Sequence, residues 1–280
     1  MKLLRIGSPG SEVPAILDSS GSPRSLEGII DDLKDEALSN MDWATGLDPK
    51  SLPELSSDLR IGPCVARTGK FICIGLNYSD HAAETGQEAP VEPILFGKAT
   101  SSIVGPNDDV MIPKDGTKVD WEVELGVVIG KEAKYVSREQ APDHIAGYCI
   151  VNDVSERAFQ IERTGQWIKG KSADTFGPIG PWLVTPESIG DPSNLSMWLE
   201  VDGNRYQDSS TSKMIFDVPE LVSQVSKFMS LQPGDLIATG TPPGVGLGMN
   251  PQVYLTPGQV MTLEIEGLGR QCQRVVAYSG

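Results

Sequence analysis

The sequence has few histidines, cysteines and basic residues, and each scarcity excludes a class of protein. Two histidines among 280 residues cannot build a metal site that needs several imidazoles. Four cysteines form no Cys-x-x-Cys pair and follow no export signal, so we expect reduced thiols packed in the core: Cys64, Cys73, Cys149 and Cys272. Lys and Arg number 23 against 38 Asp and Glu, and the net charge of −15 argues against nucleic acid and anionic membranes as partners.

Long hydrophobic runs are also missing. No stretch of 18 apolar residues occurs, so we expect no transmembrane helix. The first seven residues lack the apolar centre of a signal peptide, and we therefore expect a cytoplasmic protein. Glycine and proline, in contrast, are abundant, with 30 and 21 residues, which predicts many turns and a β-rich fold.

The order of the predicted elements indicates an α+β fold that is mostly β, with two parts. Residues 1–64 form a small N-terminal α+β domain, in which a helical spacing of apolar residues predicts a helix over Ser25–Leu38. Residues 65–280 form the larger domain, where strands are too irregularly spaced, and helices too few, for an alternating βαβ sheet. One further helix is expected at Val218–Met229.

One nucleotide-binding motif is matched only formally. Residues 165–172 fit the pattern Gly, four residues, Gly-Lys-Ser of a P-loop. That loop requires a buried strand before it and a helix after it. Here a charged, helix-like segment precedes it and a segment rich in Gly and Pro follows, so we do not expect nucleotide binding.

Three carboxylates indicate a metal site. Glu122 and Glu124 are two residues apart in a predicted strand, so their side chains point to the same face. Asp153 ends another strand-like run. Three clustered carboxylates repel one another unless a cation neutralises them, and oxygen ligands suit Mg²⁺, Mn²⁺ or Ca²⁺. The alternative is a half-exposed strand whose acids are solvated.

Other polar residues have both a functional and a plain interpretation. His81 and Glu84 are three residues apart on a predicted short helix, where a carboxylate can raise the basicity of the imidazole and activate water. They could equally form a surface salt bridge. Lys171 could be catalytic or an exposed loop lysine, and the loop at Thr241 could offer a free hydroxyl or only a turn.

Taken together, these segments resemble the fumarylacetoacetate hydrolase family, in one order over about residues 70–250. The similarity is carried by Gly75-Leu-Asn-Tyr-Ser-Asp-His-Ala-Ala-Glu, Pro93-Ile-Leu-Phe-Gly-Lys, Asp120-Trp-Glu-Val-Glu-Leu-Gly, Tyr148-Cys-Ile-Val-Asn-Asp-Val-Ser, Lys169-Gly-Lys-Ser-Ala-Asp-Thr-Phe-Gly-Pro and Thr239-Gly-Thr-Pro-Pro-Gly-Val-Gly. The N-terminal block is similar to that of the subgroup acting on 2,4-diketo-3-deoxy-L-fuconate or rhamnonate.

The resemblance implies a β-roll or sandwich catalytic domain, a homodimer, and Mg²⁺ or Mn²⁺ as cofactor. It also implies a role for each matching residue: Glu122, Glu124 and Asp153 as metal ligands, His81 and Glu84 as the water-activating pair, Lys171 as a catalytic group and a substrate contact, and Gln160, Thr241 and Lys98 as further substrate contacts. A fourth acidic ligand, present in some family members, has no counterpart here.

The function implied is metal-dependent hydrolysis of a C–C bond in a small anionic 2,4-dioxo acid of the acylpyruvate type. With a 2,4-diketo-3-deoxy sugar acid the products would be pyruvate and a small hydroxy acid. Two alternatives stay open. One is a decarboxylase or tautomerase of a β-keto diacid such as oxaloacetate, and the other is a non-catalytic module stabilised by its metal.

Overall fold

The computed structural model describes residues 1–80 and 90–279. Most of the regular backbone in these ranges is extended. The strands are β1 Lys2–Ile6, β2 Val13–Leu17, β3 Pro23–Ser25, β4 Phe71–Gly75, β5 Ile94–Lys98, β6 Ile103–Val104, β7 Val110–Met111, β8 Val119–Asp120, β9 Val123–Ile129, β10 Ile145–Asn152, β11 Ser155–Glu156, β12 Gly177–Val184, β13 Ser196–Val201, β14 Asn204–Ser210, β15 Leu236–Ala238, β16 Val260–Ile265 and β17 Gly269–Val276.

The α-helices are short, apart from one. They are α1 Asp35–Ser39, α2 Ile168–Lys171, α3 Pro186–Ile189 and α4 Val218–Phe228, and a π-helical turn spans Ala158–Glu162. None of the helices within 1–80 and 90–279 has the length and apolar composition needed to cross a membrane. The predominance of strands confirms the predicted α+β, mostly β class.

Two sheets make up the body of the molecule. The larger has ten strands, in the order β3-β2-β1-β12-β10-β9-β15-β4-β5 with β6 paired to β12. The smaller has five strands, in the order β14-β13-β16-β17-β7, and β11 pairs with β8 alone. Strand β9 therefore lies near the middle of the larger sheet, between β10 and β15.

Both faces of the larger sheet are covered, which is why β9 is buried along its whole length. Val123, Leu125 and Val127 belong to the hydrophobic core shared with the smaller sheet. Val128 belongs to the core on the opposite face. Because side chains alternate along a strand, Glu124 lies on the same face as Val128.

The helix predicted at Val218–Met229 is present as α4. Asp217 caps it, since its Oδ1 accepts a hydrogen bond from the Glu220 amide at 3.0 Å. Leu221, Val222 and Val225 are fully buried on one stripe, as their spacing predicted. Phe228, predicted on the same stripe, is exposed at the end of the helix.

The helix predicted over Ser25–Leu38 is wrong for most of its length. Ser25 ends β3, and only residues from Asp35 onward are helical. Leu26 and Leu33 are buried as a helix would bury them, but turns place them there. A non-local contact explains the difference: Arg5 on β1 donates from Nε to Asp32 Oδ1 at 2.7 Å and holds this segment against the sheet.

The N-terminal strands extend the larger sheet. β1 pairs with β12, with Leu3 opposite Leu183. Leu3 and Leu26 share a hydrophobic core with Phe71 and Leu183 from the rest of the chain. The boundary near residue 64 therefore crosses one continuous sheet, and its status as a domain boundary stays a prediction.

Three of the four cysteines are buried free thiols, as expected: Cys64, Cys73 and Cys149. The expectation is wrong for Cys272, which is exposed. It lies on β17 between the buried Gln271 and Gln273, so strand alternation turns its side chain to the outer face of the smaller sheet.

Candidate active site

The three predicted metal ligands lie together where β9 begins and β10 ends. These strands are antiparallel, with Glu124 opposite Val151. The Asp153 amide donates to the Glu122 carbonyl at 2.9 Å, which continues the pairing beyond the strand ends. One carboxylate oxygen each of Glu122, Glu124 and Asp153 lies within 4.8 Å of the others, and all three residues are buried.

Buried amides fix the backbone that carries these carboxylates. The amide of Glu122 donates to Asn152 Oδ1 at 3.2 Å, and the amide of Val123 donates to Gln207 Oε1 at 3.0 Å. Glu124 Oε2 accepts a hydrogen bond from the Gly240 amide at 2.8 Å. Gly240 has φ of +99°, and a Cβ there would lie 2.8 Å from Asn77 Cβ, so this approach of the backbone requires glycine.

Three buried cations surround the carboxylates. Lys171 Nζ lies 2.7 Å from Glu122 Oε2 and 2.8 Å from Asp153 Oδ2. Lys98 Nζ contacts the other oxygen of Asp153 at 2.6 Å. The second oxygen of Glu122 contacts Arg157 Nη2 at 2.7 Å. Each of these cations is at most 5% exposed.

This arrangement shifts the pKa values of neighbouring carboxylates in opposite directions. Burial raises the pKa of Glu122, but Lys171 and Arg157 outweigh that effect and lower it to about 2. Burial, together with the nearby Asp153 and Glu122, raises the pKa of Glu124 well above its usual value. Burial lowers the pKa of Lys171, yet Asp153 and Glu122 reverse this and raise it. The negative charge is therefore least compensated at Glu124.

The residues present fit a hard divalent cation. All three candidate ligands offer carboxylate oxygens, which Mg²⁺ and Mn²⁺ prefer. Four buried acids, counting Asp120, face the three cations Lys98, Lys171 and Arg157. When all four acids are ionised, one negative charge is left for a further cation, and such a cation would favour the ionised form of Glu124. Lys171 contacts Glu122 and Asp153, so it would lie next to such a cation, and without one it shields these two carboxylates from each other.

A pocket opens above the carboxylates, with a volume of about 110 Å³. Its lining combines charged, polar and apolar groups: Ile74, Gly75, Leu76, Phe96, Glu122, Glu124, Arg157, Gln160, Ile161, Trp167, Lys171, Thr241, Val245 and Leu247. The rings of Phe96 and Trp167 meet edge to face at 5.2 Å, and Lys171 Nζ lies 5.1 Å from the Phe96 ring centre. The pocket is thus small, with an aromatic wall beside its ammonium group.

Of the four predicted substrate contacts, three line the pocket and one does not. Gln160, Lys171 and Thr241 line the pocket, whereas Lys98 lies behind Asp153 and also donates to the Val154 carbonyl at 3.0 Å. The expected free hydroxyl of Thr241 is not free. It donates to the Val123 carbonyl at 3.0 Å and accepts from Gln207 Nε2 at 2.8 Å, because this loop is fastened to the ligand strand.

Two further predicted residues, His81 and Glu84, lie outside the described residues. The formal P-loop match lies in the pocket wall, since it ends in α2 and carries Lys171 toward the carboxylates. The segment after it continues into β12 and contains no helix before that strand, in the part of the chain described here. The structural context that a phosphate-binding loop needs is missing there.

Sequence reasoning missed Arg157 and Asp120. Arg157 carries no local motif, and its role follows only from its contact with Glu122 across the fold. Asp120 did carry a signal, because it precedes Glu122 and Glu124 at the same two-residue interval. Its Oδ2 accepts from Arg157 Nε at 2.8 Å.

Comparison with known proteins shows which family this chain is similar to. The profile described as fumarylacetoacetate (FAA) hydrolase C-terminal matches residues 70–276. A Burkholderia multivorans protein, provisionally named a hydrolase, is 59% identical over 276 residues, covering 98% of each chain.

Two solved structures are similar over nearly the whole chain. Fumarylacetoacetate hydrolase from psychrophilic Exiguobacterium antarcticum has a TM-score of 0.87 and 35% identity, covering 99% of this chain and 100% of its own. The 5-carboxymethyl-2-hydroxymuconate delta-isomerase of Mycobacterium smegmatis has a TM-score of 0.78 and 33% identity, with both chains fully covered. The motifs, the carboxylate cluster and these matches agree: the chain belongs to the fumarylacetoacetate hydrolase family.

Proposed function

We propose that this protein is a metal-dependent hydrolase that cleaves a C–C bond in a 2,4-dioxo acid of the acylpyruvate type. The substrate proposed is a 2,4-diketo-3-deoxy sugar acid, with pyruvate and a small hydroxy acid as products. The observation that carries the proposal is the buried cluster of Glu122, Glu124 and Asp153, whose two glutamates line a pocket that also presents Lys171. A divalent cation held by this cluster would suit the adjacent carboxylate and 2-oxo oxygens of a dioxo acid.

Bound Mg²⁺ or Mn²⁺ would supply Lewis acidity for the keto-acid end of the substrate. Glu122, Glu124 and Asp153 would hold it, and the hydrogen bond from the Gly240 amide fixes the Glu124 carboxylate within the cluster. Lys171 is buried and cationic, so it offsets negative charge that develops on an oxygen in the pocket. Gln160 adds a neutral polar group on the same wall.

The proposed chemistry is a hydrolysis in which water is consumed. In this proposal His81, with Glu84 as its partner, takes a proton from water as the oxygen attacks the 4-carbonyl carbon. The bond between C3 and C4 then breaks, and its electron pair stays with the three-carbon fragment. That fragment takes up a proton to become pyruvate, and the other fragment leaves as a carboxylic acid.

The test is pyruvate release from a panel of 2,4-dioxo acids by protein loaded with Mg²⁺ and by the same protein after chelation. We expect turnover that disappears on chelation and returns when Mg²⁺ or Mn²⁺ is added. Undiminished turnover without metal would contradict the proposal. A panel that includes 2,4-diketo-3-deoxy sugar acids and simple acylpyruvates identifies the preferred acyl end.

A second candidate is a decarboxylase or tautomerase acting on a β-keto diacid such as oxaloacetate. It is favoured by the similarity to the delta-isomerase and by the positive charge that Lys171, and a metal held by the three carboxylates, would offer to an enolate. The variant His81→Ala separates the two. Under the first proposal it abolishes hydrolysis and leaves part of any oxaloacetate decarboxylation. Equal loss of both activities would argue against separate roles.

A further inference from the structure

Asp120 accepts four hydrogen bonds, although it is neither one of the three clustered carboxylates nor one of the residues that line the pocket. Its Oδ1 accepts from the amides of Trp121 at 2.9 Å and Gly246 at 2.7 Å. Its Oδ2 accepts from the amide of Leu247 at 3.0 Å and from Arg157 Nε at 2.8 Å. The residue is fully buried. One carboxylate thus joins the start of the ligand strand, a pocket loop and an arginine.

Arg157 connects Asp120 to two residues of the pocket. With Nε on Asp120, its Nη2 contacts Glu122 Oε1 at 2.7 Å and its Nη1 donates to Gln160 Oε1 at 3.0 Å. A guanidinium group is rigid and planar, so a fixed Nε determines where both terminal nitrogens point. Removing the contact with Asp120 frees the group to rotate away from both partners.

The contact with Arg157 also decides how the Gln160 amide is oriented. Arginine has no acceptor, so the Gln160 atom that faces it must be the oxygen. The amide nitrogen of Gln160 is then left for the pocket, which this side chain lines. Gln160 is only 5% exposed, so its orientation is set by protein contacts and not by bulk water.

We propose that Asp120 is a positioning residue that, through Arg157, holds Glu122 in place and turns the Gln160 amide N–H groups toward a substrate oxygen. The same carboxylate ties the loop that contributes Val245 and Leu247 to the pocket wall. This inference rests on the proposed function for the identity of that substrate. It does not depend on it for the hydrogen bonds that define the role.

The test is a double-mutant cycle with Asp120→Asn, Gln160→Ala and the two combined. Asparagine keeps the size of aspartate but places an NH₂ group against donors. Two quantities are measured: kcat/KM on the preferred dioxo acid, and the Kd of oxalate for the Mg²⁺-loaded protein by calorimetry. Each single change should weaken both roughly 10- to 100-fold. The double variant should lose no more than the more severe single variant, because the two residues act along one chain of contacts.

Asp18→Asn is the matched control. Asp18 is also buried and accepts hydrogen bonds from Ser20, Ser22 and Arg24, but it lies in a turn of the N-terminal strands. It should lower the melting temperature and leave kcat/KM and oxalate binding within about twofold. If Asp120→Asn does not fold, Arg157→Lys replaces it in the cycle, since lysine keeps the charge and loses the fork.

Losses that multiply in the double variant would overturn the proposal, because a merely structural role predicts independent effects. So would an Asp120→Asn protein with unchanged kcat/KM and oxalate affinity. If the wild-type protein turned over no dioxo acid but bound oxalate, the proposed function would fail while the oxalate cycle still decided the role of Asp120. A wild-type protein that bound no oxalate would overturn the positioning role, since Gln160 would have no oxyanion to meet.

Discussion

At the scale of single residues, Lys171 shows how a site can be stable before any metal binds. Its ammonium group bridges Glu122 and Asp153, two carboxylates that would otherwise repel each other in a buried setting. Burying a charge is costly unless it is paired, and here every buried cation at the site has a carboxylate partner. The same side chain faces the pocket, where it can act on a bound anion.

The variant Asp153→Asn tests whether the three carboxylates bind a metal ion. Adding saturating Mg²⁺ to metal-free wild-type protein should raise its melting temperature, by the equivalent of about 2.7 kcal/mol at a concentration of 100 Kd. In Asp153→Asn that metal-induced rise should vanish, because one of three ligands is lost. Scanning calorimetry with and without Mg²⁺ measures the rise separately from the lower starting stability expected when Lys98 loses its carboxylate.

The control for this experiment is Asp143→Asn, which alters an exposed carboxylate away from the cluster. It should keep the whole metal-induced rise. A rise in Asp153→Asn equal to that of the wild type would contradict a metal site at these residues.

The lowered pKa of Asp18 predicts that its contribution to the free energy of unfolding is lost in acid. Hydrogen bonds from Ser20, Ser22 and Arg24 lower its pKa well below the usual range. Since the folded-state pKa is lower than the unfolded value of about 3.9, this stabilisation is fully present above that value and is lost as the pH falls toward the folded-state pKa. The variant Asp18→Asn lacks the titrating group.

The measurement is the difference in melting temperature between the wild type and Asp18→Asn. The difference should be constant between pH 7 and pH 5 and should shrink as the pH falls from about 4 toward 2. A difference that stayed constant over the acid range would contradict the assignment.

At the scale of elements, the short helix α2 matters because it delivers Lys171. It packs closely against the π-helical turn, and Gly170 makes this possible. A Cβ at Gly170 would lie 2.3 Å from the Glu156 carbonyl oxygen and 2.6 Å from Gln160 Cβ. The two segments that bear Lys171 and Gln160 can therefore approach this closely only because residue 170 has no Cβ.

Gly170→Ala should force these segments apart. We expect a loss of about 1–3 kcal/mol in the free energy of unfolding, as for other overpacked sites, and a lower kcat as Lys171 is displaced. Urea unfolding and steady-state kinetics measure the two effects. Gly97→Ala is the matched control: a Cβ there would only reach the Phe71 carbonyl oxygen at an ordinary 3.5 Å. If both changes had equal effects, close packing at Gly170 would not be the cause of the loss.

At the scale of the whole molecule, the N-terminal strands are part of the main sheet. Residues 65–280 expressed alone would lose β1, which pairs with one edge of β12, and the cover over Phe71 and Leu183. We expect this fragment to be insoluble or to lack a cooperative unfolding transition, because a bare strand edge and an open core favour aggregation. A soluble, cooperatively folded fragment would instead support an independent domain ending at residue 64.

The sequence was informative where the signal is local. Glu122 and Glu124 repeat at the period of a strand, Asp153 ends an apolar run, and α4 has a helical stripe with a cap, so each could be predicted. The predicted helix over Ser25–Leu38 failed because Arg5, distant in sequence, holds Asp32. Arg157, the buried role of Lys98 and the bonded state of the Thr241 hydroxyl also depend on contacts between distant segments. The homodimer implied by the resemblance stays a prediction.

The position of β9 in the middle of the larger sheet has a consequence for motion. A strand paired on both edges and buried on both faces opens only when the whole domain unfolds, whereas loops open by local fluctuation. Glu124 and its neighbours thus form the rigid part of the site, with a geometry already set for a cation. The pocket residues Ile161 and Trp167, in contrast, lie in segments outside the sheets, where local opening can adjust the wall around a ligand. Selectivity for the metal and accommodation of the organic substrate are in this way assigned to different parts of the chain.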